Sequence, residues 1–386
     1  MAASPRGLNA PLAPAFHVTV PVRVRAPEHV DDLRRCLAAL LACDPPPARI
    51  LVVDDGSPAP VEVPDGVEVL RITPSGPAAA RNAGAEHLLR RDRARDAEGR
   101  GAVRADGADE RAGASPAQPD PAEGGGAPIL ASLLAPTLVF VDADIVVPAD
   151  TFARLALGFQ THPESAAIWG TVTAAHPHPG VVSRYKNLTH RHFTRCQPAQ
   201  TRHLTSMLLA IRPEAFSHVG GFDTRWDTVS VEDVELGREL FAAGFEVRID
   251  HGLEAEHRHR FTLVSAVRND LHKVRRHVAT TLARRARGCP SVQVQAQGER
   301  RQVHYLLGVP LGAGALVALG TGRPLLALGL AGALVAWERD LWRSLLREGG
   351  AGLAVASVPL MVLERGVVAV ATVAGTVDHL RARAAR

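Results

Sequence analysis

The sequence predicts an α/β domain followed by a basic amphipathic helix and by apolar helices at the carboxyl-terminal end. Short runs rich in valine, leucine and isoleucine alternate with segments of helical period as far as residue 262. A basic segment comes next, and from Tyr305 to Trp337 the only charged residue is Arg323. Alternating strands and helices are typical of a parallel-rich sheet, which carries its functional site at the carboxyl ends of the strands.

The elements of the predicted sheet can be assigned in chain order. The run HVTVPV at 17–22 predicts the first strand, and the segment 31–43 predicts a helix because its leucines recur at helical spacing behind an aspartate-rich start. The remaining predicted elements are two strands, a helix and a strand: RILVVDDGSP (49–58), VEVLRI (67–72), GPAAARNAGAEHLLRR (76–91) and LVFVDADIVVP (138–148).

Two segments lack a periodic pattern and are expected to have no regular structure. Residues 1–15 are predicted to be a flexible tail, and residues 92–128, which consist mainly of Ala, Gly, Asp, Arg, Glu and Pro, a disordered insertion. Such an insertion is tolerable as a surface excursion between a helix and a strand, since the cost of closing a loop rises only slowly with its length.

The charge of the chain is unevenly distributed. The 386 residues carry a formal net charge of +4, whereas residues 258–301 hold eleven Lys/Arg against two Asp/Glu, or about +9, which leaves about −5 elsewhere. Aromatic residues are scarce, which argues against a nucleic-acid-binding surface. The four cysteines show no paired or zinc-binding spacing, and the opening stretch lacks the apolar core of a signal peptide, so we expect a cytoplasmic setting.

The carboxyl-terminal third suggests attachment to a membrane. Residues 263–301 begin as a basic amphipathic helix, which favours a membrane surface over the alternative of an ordinary core helix. Within 302–386, the apolar runs 305–320 and 325–337 are short for a span, and the run 351–377 carries Glu364 and Arg365 at its middle. We expect two or three membrane segments, with a soluble helical subdomain as the alternative and the α/β domain on the cytoplasmic side.

Acidic residues stand at the ends of several predicted elements. Residues i and i+2 of an extended strand point the same way, so Asp142 and Asp144 would project together and share Mg²⁺ or Mn²⁺ with substrate phosphates. Asp54 and Asp55 end another strand, and Glu232–Asp233 begins a helix. Because these carboxylates would repel one another at one crevice, the pattern indicates a ligand made of a metal ion and a diphosphate.

Taken together and in order, these motifs resemble a known enzyme family. The segments VDDGS (53–57), GPAAARNAG (76–84), DAD (142–144), GGFD (220–223) and ED (232–233) are similar to those of family 2 glycosyltransferases with the GT-A fold. The resemblance covers residues 17–262 apart from the insertion, and it implies a Rossmann-like GT-A domain over 16–262. The segments SRYKNLTHRHF and VEDVELGREL resemble bacterial membrane-attached members, which implies a role in cell-envelope polysaccharide synthesis.

The resemblance implies a role for each matching acidic residue. Asp55 would contact the nucleotide base with support from Asp54, and Asp142 would reach the ribose. Asp144 would bind the Mg²⁺ or Mn²⁺ that bridges the diphosphate. Asp233 would be the general base that deprotonates the acceptor hydroxyl.

Further residues are placed around this site by the same resemblance. His257 would be a second metal ligand and Arg260 would steady the diphosphate, with a solvent-exposed basic loop as the alternative for both. Arg23 stands where the family often has a residue that stacks on the base. The donor side would thus include Pro21, Arg23, Arg81 and Arg260, and the acceptor side Glu232 and Trp226.

The implied function is inverting transfer of a sugar from a UDP- or GDP-linked donor to a lipid-linked or saccharide acceptor. A sugar nucleotidyltransferase would need a glycine-rich phosphate loop near the first strand, and VPVRVRAPEH contains no glycine. A membrane-anchored sugar-nucleotide-binding or scaffold protein with a degenerate site is the other alternative. The intact Asp142, Asp144 and Asp233 argue against it.

Overall fold

The computed structural model describes residues 15–105, 136–225, 231–286 and 307–384, with the backbone alone for 92–105. Most of the predicted tail, residues 106–128 of the predicted insertion, and Trp226 lie outside the described residues. The described part confirms an α/β domain with a helical carboxyl-terminal region.

An eight-stranded mixed sheet forms the centre of the domain, in the order β3-β2-β1-β4-β7-β6-β8-β5. The first four strands in this order are parallel, β7 is antiparallel to β4 and to β6, and β6 and β8 are parallel. The parallel part confirms the prediction. The strands are β1 Phe16–Val22, β2 Arg49–Asp54, β3 Val67–Arg71, β4 Thr137–Val141, β5 Ile145–Val146, β6 Ser165–Val172, β7 Leu208–Ile211 and β8 Glu246–His257.

Helices cover both faces of the sheet and make up the carboxyl-terminal region. They are α1 Pro27–Leu41, α2 Pro77–Ala105, α3 Thr151–Thr161, α4 Val181–Arg195, α5 Pro213–His218, α6 Glu232–Ala242, α7 Leu263–Ala286, α8 Val309–Gly320, α9 Pro324–Trp337, α10 Arg339–Ser344, a π-helical turn Leu345–Gly349, and α11 Gly350–Ala384.

The first part of the predicted insertion is helical and not disordered. Helix α2 continues through residues 92–105, where the sequence lacks an apolar stripe. Alanine, arginine and glutamate favour a helix without any packing partner, so a segment can extend a helix that has already formed. The absence of periodicity was therefore a poor guide at this position.

Two cores lie on opposite faces of the sheet because side chains alternate along each strand. Val18 and Val20 of β1 pack on the face covered by α1, whose Leu37 and Leu40 are completely buried. The other face holds the small and apolar residues of α2 together with Phe140 and Trp169. Nearly every residue of β1 and β2 is buried, and the alternation assigns each one to one of the two cores.

The stretch LVFVDADIVVP is not a single strand as the sequence suggested. Strand β4 ends at Val141, the N–H of Ile145 donates to the carbonyl of Asp142 at 3.0 Å, and Ile145 then opens β5, which pairs with β8. The two aspartates therefore lie in a turn between two strands. The rule that i and i+2 share a side does not apply to them, and tertiary contacts decide where each carboxylate points.

Candidate active site

The carboxyl end of β2 holds Asp54 in a tight turn. Its side chain is fully buried, Oδ1 accepts the N–H of Ser57 at 2.8 Å, and Oδ2 lies 3.5 Å from Arg71. Gly56 has φ +69°, and a Cβ at this position would meet Pro74 at 2.4 Å, so the turn requires glycine. The contacts of Asp54 shape the turn that carries Asp55, and a supporting role at a nucleotide base stays a prediction.

Asp55 joins the end of β2 to the start of α2. Its carboxylate accepts the N–H of Ser75 at 2.6 Å and that of Gly76 at 3.1 Å. A carboxylate has about four acceptor positions, so these two backbone donors leave room for another donor such as a nucleotide base. Contact with a base stays a prediction for Asp55.

Arg81 connects three elements of the site. It is 3% exposed, Nη2 donates to Asp142 Oδ1 at 2.6 Å, and Nη1 donates to Glu232 Oε1 at 3.3 Å. The guanidinium also lies 5.4 Å from the ring centre of Phe222. Burial would lower the pKa of Arg81, but the carboxylates of Asp142 and Glu232 raise it, so the guanidinium is held as a cation. Arg81 therefore ties the aspartate turn to the start of α6.

The contact between Arg81 and Glu232 joins two residues that the sequence analysis assigned to opposite sides of the site. Arg81 was expected on the donor side and Glu232 on the acceptor side. In the structure each is the other's partner, and Glu232 is 2% exposed. What the geometry shows for both is a positioning contact, while Asp142 keeps a side chain that is 33% exposed at the mouth of the crevice.

Asp144 lies against two histidines at the end of β8. Its Oδ2 is 3.2 Å from His259 Nδ1 and 3.9 Å from His257 Nε2, and its carbonyl accepts the N–H of Arg258 at 2.8 Å. Burial would raise the pKa of Asp144, but the hydrogen bond from His259 and the charges of both histidines lower it to about 2. The carboxylate is thus ionised at neutral pH.

The same cluster fits a divalent cation in its chemistry. Burial lowers the pKa of His257, only partly offset by Asp144, and so favours the neutral imidazole, which is the form that binds metal ions. One carboxylate with imidazole nitrogens suits Mn²⁺, and Mg²⁺ accepts a carboxylate with phosphates and water. Among the described residues no three His, Cys, Asp or Glu side chains form a complete metal cluster. A bound ion would therefore need substrate oxygens.

His259 is a site residue that the sequence analysis missed. The stretch HRHRF drew attention to His257 and Arg260, yet His259 makes the closer approach to Asp144. The rings of His257 and His259 are stacked with centres 6.0 Å apart. Their spacing of two along an extended segment was the signal that could have paired them.

Asp233 stands at the first turn of α6 next to Glu232. Burial and the charge of Glu232 raise the pKa of Asp233 to about 6, although Lys273, Arg81 and the N–H of Val234 oppose the shift. The Val234 N–H donates to Asp233 Oδ1 at 2.8 Å. A carboxylate with a pKa near 6 is ionised at neutral pH and accepts a proton more readily than an ordinary aspartate, which suits a general base.

The other predicted residues occupy the same edge of the sheet or its surroundings. In the parallel pair β1–β2, Val22 lies opposite Asp54, so Pro21 and Arg23 flank the end of β1 beside the β2 turn. Both are half-buried, whereas Arg260 is exposed beyond the end of β8. Their contacts with a donor stay predictions.

Helix α7 packs against α4 and α6 of the α/β domain, which the sequence did not suggest. Asp270 and Arg284 bind Lys186 of α4 and Glu235 of α6, so the helix face between them, which includes Lys273, points toward the α/β domain. On its other side, Arg275 binds Asp378 of α11. The helix expected to lie on a membrane surface is thus packed against protein on two sides.

His190 of α4 is a further residue that the sequence did not assign to the site. Burial lowers its pKa to about 3, helped by the charges of His257, His203 and Lys273, so the imidazole is neutral. Its Nε2 atom is buried without a hydrogen-bond partner. His190 of α4 thus lies within electrostatic reach of His257 at the end of β8 and of Lys273 on α7.

Comparison with known proteins yields matches to solved structures alone. No protein-family model matches the chain, and no curated protein sequence matches it. The fold is similar to the mannosyltransferase PcManGT from Pyrobaculum calidifontis, solved with GDP-Man and Mn²⁺, with a TM-score of 0.47 and 14% identity over 96% of this chain and 88% of that one. It is also similar to GalNAc-T7, solved with UDP, GalNAc and Mn²⁺, with a TM-score of 0.42 and 13% identity over 65% of this chain and 45% of that one. At these values, neither similarity assigns an activity to this chain.

Proposed function

We propose that this protein is a metal-dependent, inverting glycosyltransferase of the family 2 type with a GT-A domain. Its donor would be a UDP- or GDP-linked hexose, and its acceptor a lipid-linked or saccharide hydroxyl. We further propose that it works at the cytoplasmic face of the membrane in cell-envelope polysaccharide synthesis. The observation that carries the catalytic part is the Arg81 bridge, which fixes the turn that bears Asp144 relative to the helix start that bears Asp233.

The Arg81 bridge has a carboxylate near each end, and the pKa values of these two carboxylates are shifted in opposite directions. Asp144 has a pKa of about 2 and stays ionised, as a metal ligand must, whereas the pKa of Asp233 is raised to about 6. Environments that push the pKa values of two carboxyl groups apart are a general sign of divided roles in catalysis. These pKa values therefore support two roles: Asp144 binds the metal ion at the leaving diphosphate, and Asp233 accepts the proton of the acceptor hydroxyl.

Inverting transfer needs no enzyme nucleophile. The acceptor oxygen forms a bond to the anomeric carbon while the bond from that carbon to the diphosphate oxygen breaks, and Asp233 takes the acceptor proton on a carboxylate oxygen. When bound at Asp144 with one imidazole, that of His257, and with substrate oxygens, Mg²⁺ or Mn²⁺ would neutralise the negative charge of the diphosphate. In this proposal Asp55 hydrogen-bonds the nucleotide base and Asp142 hydrogen-bonds the ribose.

A screen of UDP- and GDP-sugars with the purified chain tests the proposal. We expect one donor to raise the melting temperature only with Mg²⁺ or Mn²⁺ and to be hydrolysed slowly in water. Asp144→Asn should weaken both effects at a given metal concentration, whereas Asp250→Asn, which changes a surface aspartate paired with Arg154, should change neither. If no nucleotide-sugar stabilises the protein with either metal, the glycosyltransferase assignment fails and a degenerate-site protein takes its place.

A further inference from the structure

The carboxyl-terminal helices differ in how much of their surface the protein covers. By length and composition, one helical stretch of the described residues, Arg339–Ala384, could cross a membrane, and α8 and α9 are shorter apolar helices. Composition alone would therefore select α11 as the membrane helix. The contacts of α11 lead to a different conclusion.

Helix α11 is fastened to α4 of the catalytic domain by charged residues. Glu364 accepts a hydrogen bond from Tyr185 and lies 3.3 Å from Lys186 Nζ, which also binds Asp270 of α7 at 2.8 Å. Near the start of α11, Arg191 donates to Glu348 at 2.8 Å. A bilayer around α11 would thus bring several charges of α4 and α7 into hydrocarbon, where each costs a few kcal/mol or more.

The packing against α7 is equally close. A Cβ at Gly375 would meet the carbonyl oxygen of Arg275 at 2.4 Å, so the two helices touch backbone to backbone at this point. The side of α11 that faces away from the protein carries an apolar stripe, with Val355 at 64%, Val370 at 62% and Val373 at 65% exposure. One apolar stripe on an otherwise protein-bound helix is typical of a helix that lies in a membrane interface.

The hairpin of α8 and α9 is the most exposed apolar part of the described chain. Leu325 is 85% exposed, Leu328 71% and Val317 65%, and α9 contacts little apart from α8. Helix α8 is held to α11 by glycines, since a Cβ at Gly366 would meet Leu316 at 2.3 Å. Contiguous exposed leucines of this kind mark a site that another apolar phase covers.

The hairpin is too short to cross a bilayer. Helices α8 and α9 have 12 and 14 residues, which corresponds to roughly 18–21 Å, against about 30 Å of hydrocarbon. The turn between them carries Arg323, whose guanidinium would stand near the far side of the bilayer centre if the hairpin stood upright. An inclined hairpin lets Arg323 reach the headgroups of the leaflet it entered.

Basic residues lie where the hairpin rejoins the protein. Trp337 ends α9, and Arg339, Arg343 and Arg347 follow at intervals of four on exposed helix surface. Arg343 and Arg347 line a surface cavity of about 440 Å³ together with Asp340, whose carboxylate lies 3.5 Å from Arg343, and Arg347 also lines an adjoining cavity of about 500 Å³. An aromatic residue followed by arginines is the pattern of a membrane interface that contains anionic headgroups.

We propose that the protein binds one leaflet of an anionic bilayer without crossing it, through the inclined α8–α9 hairpin and the outer stripe of α11, with Arg343 and Arg347 on lipid phosphates. This replaces the expectation of two or three spanning segments and deepens the membrane part of the proposed function. Donor hydrolysis measured in the same preparation tests the proposed enzyme activity independently of the membrane contact, because hydrolysis does not require a membrane.

Flotation with vesicles tests the surface. The chain should float with phosphatidylcholine vesicles that contain phosphatidylglycerol, and Leu325→Ser with Leu328→Ser and Val317→Ser should weaken binding more than about a hundredfold. Leu157→Ser, which changes an equally exposed leucine (63%) on α3, is the matched control and should bind normally. Equal binding of the triple variant, or self-association that the triple variant abolishes without any lipid binding, would overturn the proposal.

Charge and topology are tested separately. Arg343→Gln with Arg347→Gln should weaken binding about tenfold or more on vesicles with phosphatidylglycerol and little on phosphatidylcholine alone. Arg90→Gln, which changes an exposed arginine on α2, should alter neither. Equal loss on both lipids would contradict the headgroup contact.

A cysteine in place of Arg323 reports whether the hairpin tip emerges on the far side. In intact bacterial cells, a membrane-impermeant maleimide should not label the Arg323→Cys protein until the cells are lysed, as for Arg90→Cys in the catalytic domain. Labelling is assigned by peptide mass, so the native cysteines stay in place. Labelling of position 323 from outside intact cells would show a span and refute the one-leaflet arrangement.

Discussion

Two clusters of charged residues are buried in this protein, and they differ in how many hydrogen-bond and ion-pair partners their carboxylates have. The cluster at the candidate active site joins Arg81 to Asp142 and Glu232, with Asp233 beside them. The cluster at the base of the carboxyl-terminal helices joins Lys186 to Asp270 and Glu364. Both consist of one long cation between two carboxylates from distant parts of the chain.

The two clusters differ in how much hydrogen-bonding capacity of the carboxylates remains unused. Glu364 is completed by Tyr185, and the neighbouring Arg365 is bound by Glu338 at 2.6 Å. At the candidate active site, and within the described residues, the carboxylate of Asp233 accepts a hydrogen bond from the backbone N–H of Val234, and the carboxylate of Asp144 lies against two histidines. A buried group held with spare capacity for a proton or a metal is a sign of function, whereas a saturated cluster fixes the packing of helices.

The largest effect is expected from Asp233→Asn. Loss of a general base typically lowers the rate of transfer about 10²–10⁴-fold, whereas donor binding should be unchanged. Single-turnover transfer and donor-induced thermal shifts measure the two separately. Because the pKa of Asp233 is raised to about 6, its ionised form destabilises the fold at neutral pH, so the variant should unfold at a higher denaturant concentration. Unchanged turnover would exclude Asp233 as the base.

Removing the central cation of each cluster gives the sharpest contrast. Arg81→Met and Lys186→Met should each lower the free energy of unfolding by about 3–5 kcal/mol, since both leave buried carboxylates unpaired. Denaturant unfolding measures this loss. Only Arg81→Met should also weaken donor binding, because Asp142 loses its support. If Lys186→Met impairs donor hydrolysis as strongly in folded protein, the two clusters are not functionally distinct.

Asp144→Asn should act mainly on the metal. The variant is expected to need at least about tenfold more Mn²⁺ for donor stabilisation, since a neutral amide is a poor ligand for a hard cation. The folded-state pKa of about 2 lies below the unfolded value, so Asp144 stabilises the fold at neutral pH and this contribution fades as the pH falls toward 2. Comparison of wild type and variant by unfolding at pH 7 and pH 3 checks the sign, because the difference should shrink at pH 3.

The pH dependence of transfer gives the smallest and most specific effect. If Asp233 is the base, kcat/KM should fall about tenfold for each pH unit below about 6 and level off above it. Donor binding measured over the same range should lack this step. A profile that is flat between pH 5 and pH 7 would assign the proton transfer to another group.

The sequence predicted the position of a charged residue well where that residue directly ends a strand or begins a helix. It predicted the position less well where contacts between distant segments decide it. Asp54, Asp55 and Asp233 stand at the end of a strand or the start of a helix, as predicted, because apolar periodicity marks where these elements begin and end. The aspartate turn was assigned to a strand because an apolar run on both sides of Asp142 and Asp144 has the composition of a strand. Its break is set by the pairing of β5 with β8.

What the sequence by itself determined is the α/β class, the acidic residues at the carboxyl edge of the sheet and the apolar character of the last third. What only the tertiary structure decided is which charges meet: Arg81 binds Glu232 from 151 residues away, and Lys186 binds Glu364 from 178 residues away. Local patterns report burial and period, which neighbouring residues fix. Partners so far apart in the chain are chosen by the packing of whole helices, and the same packing holds α11 against α4 and α7.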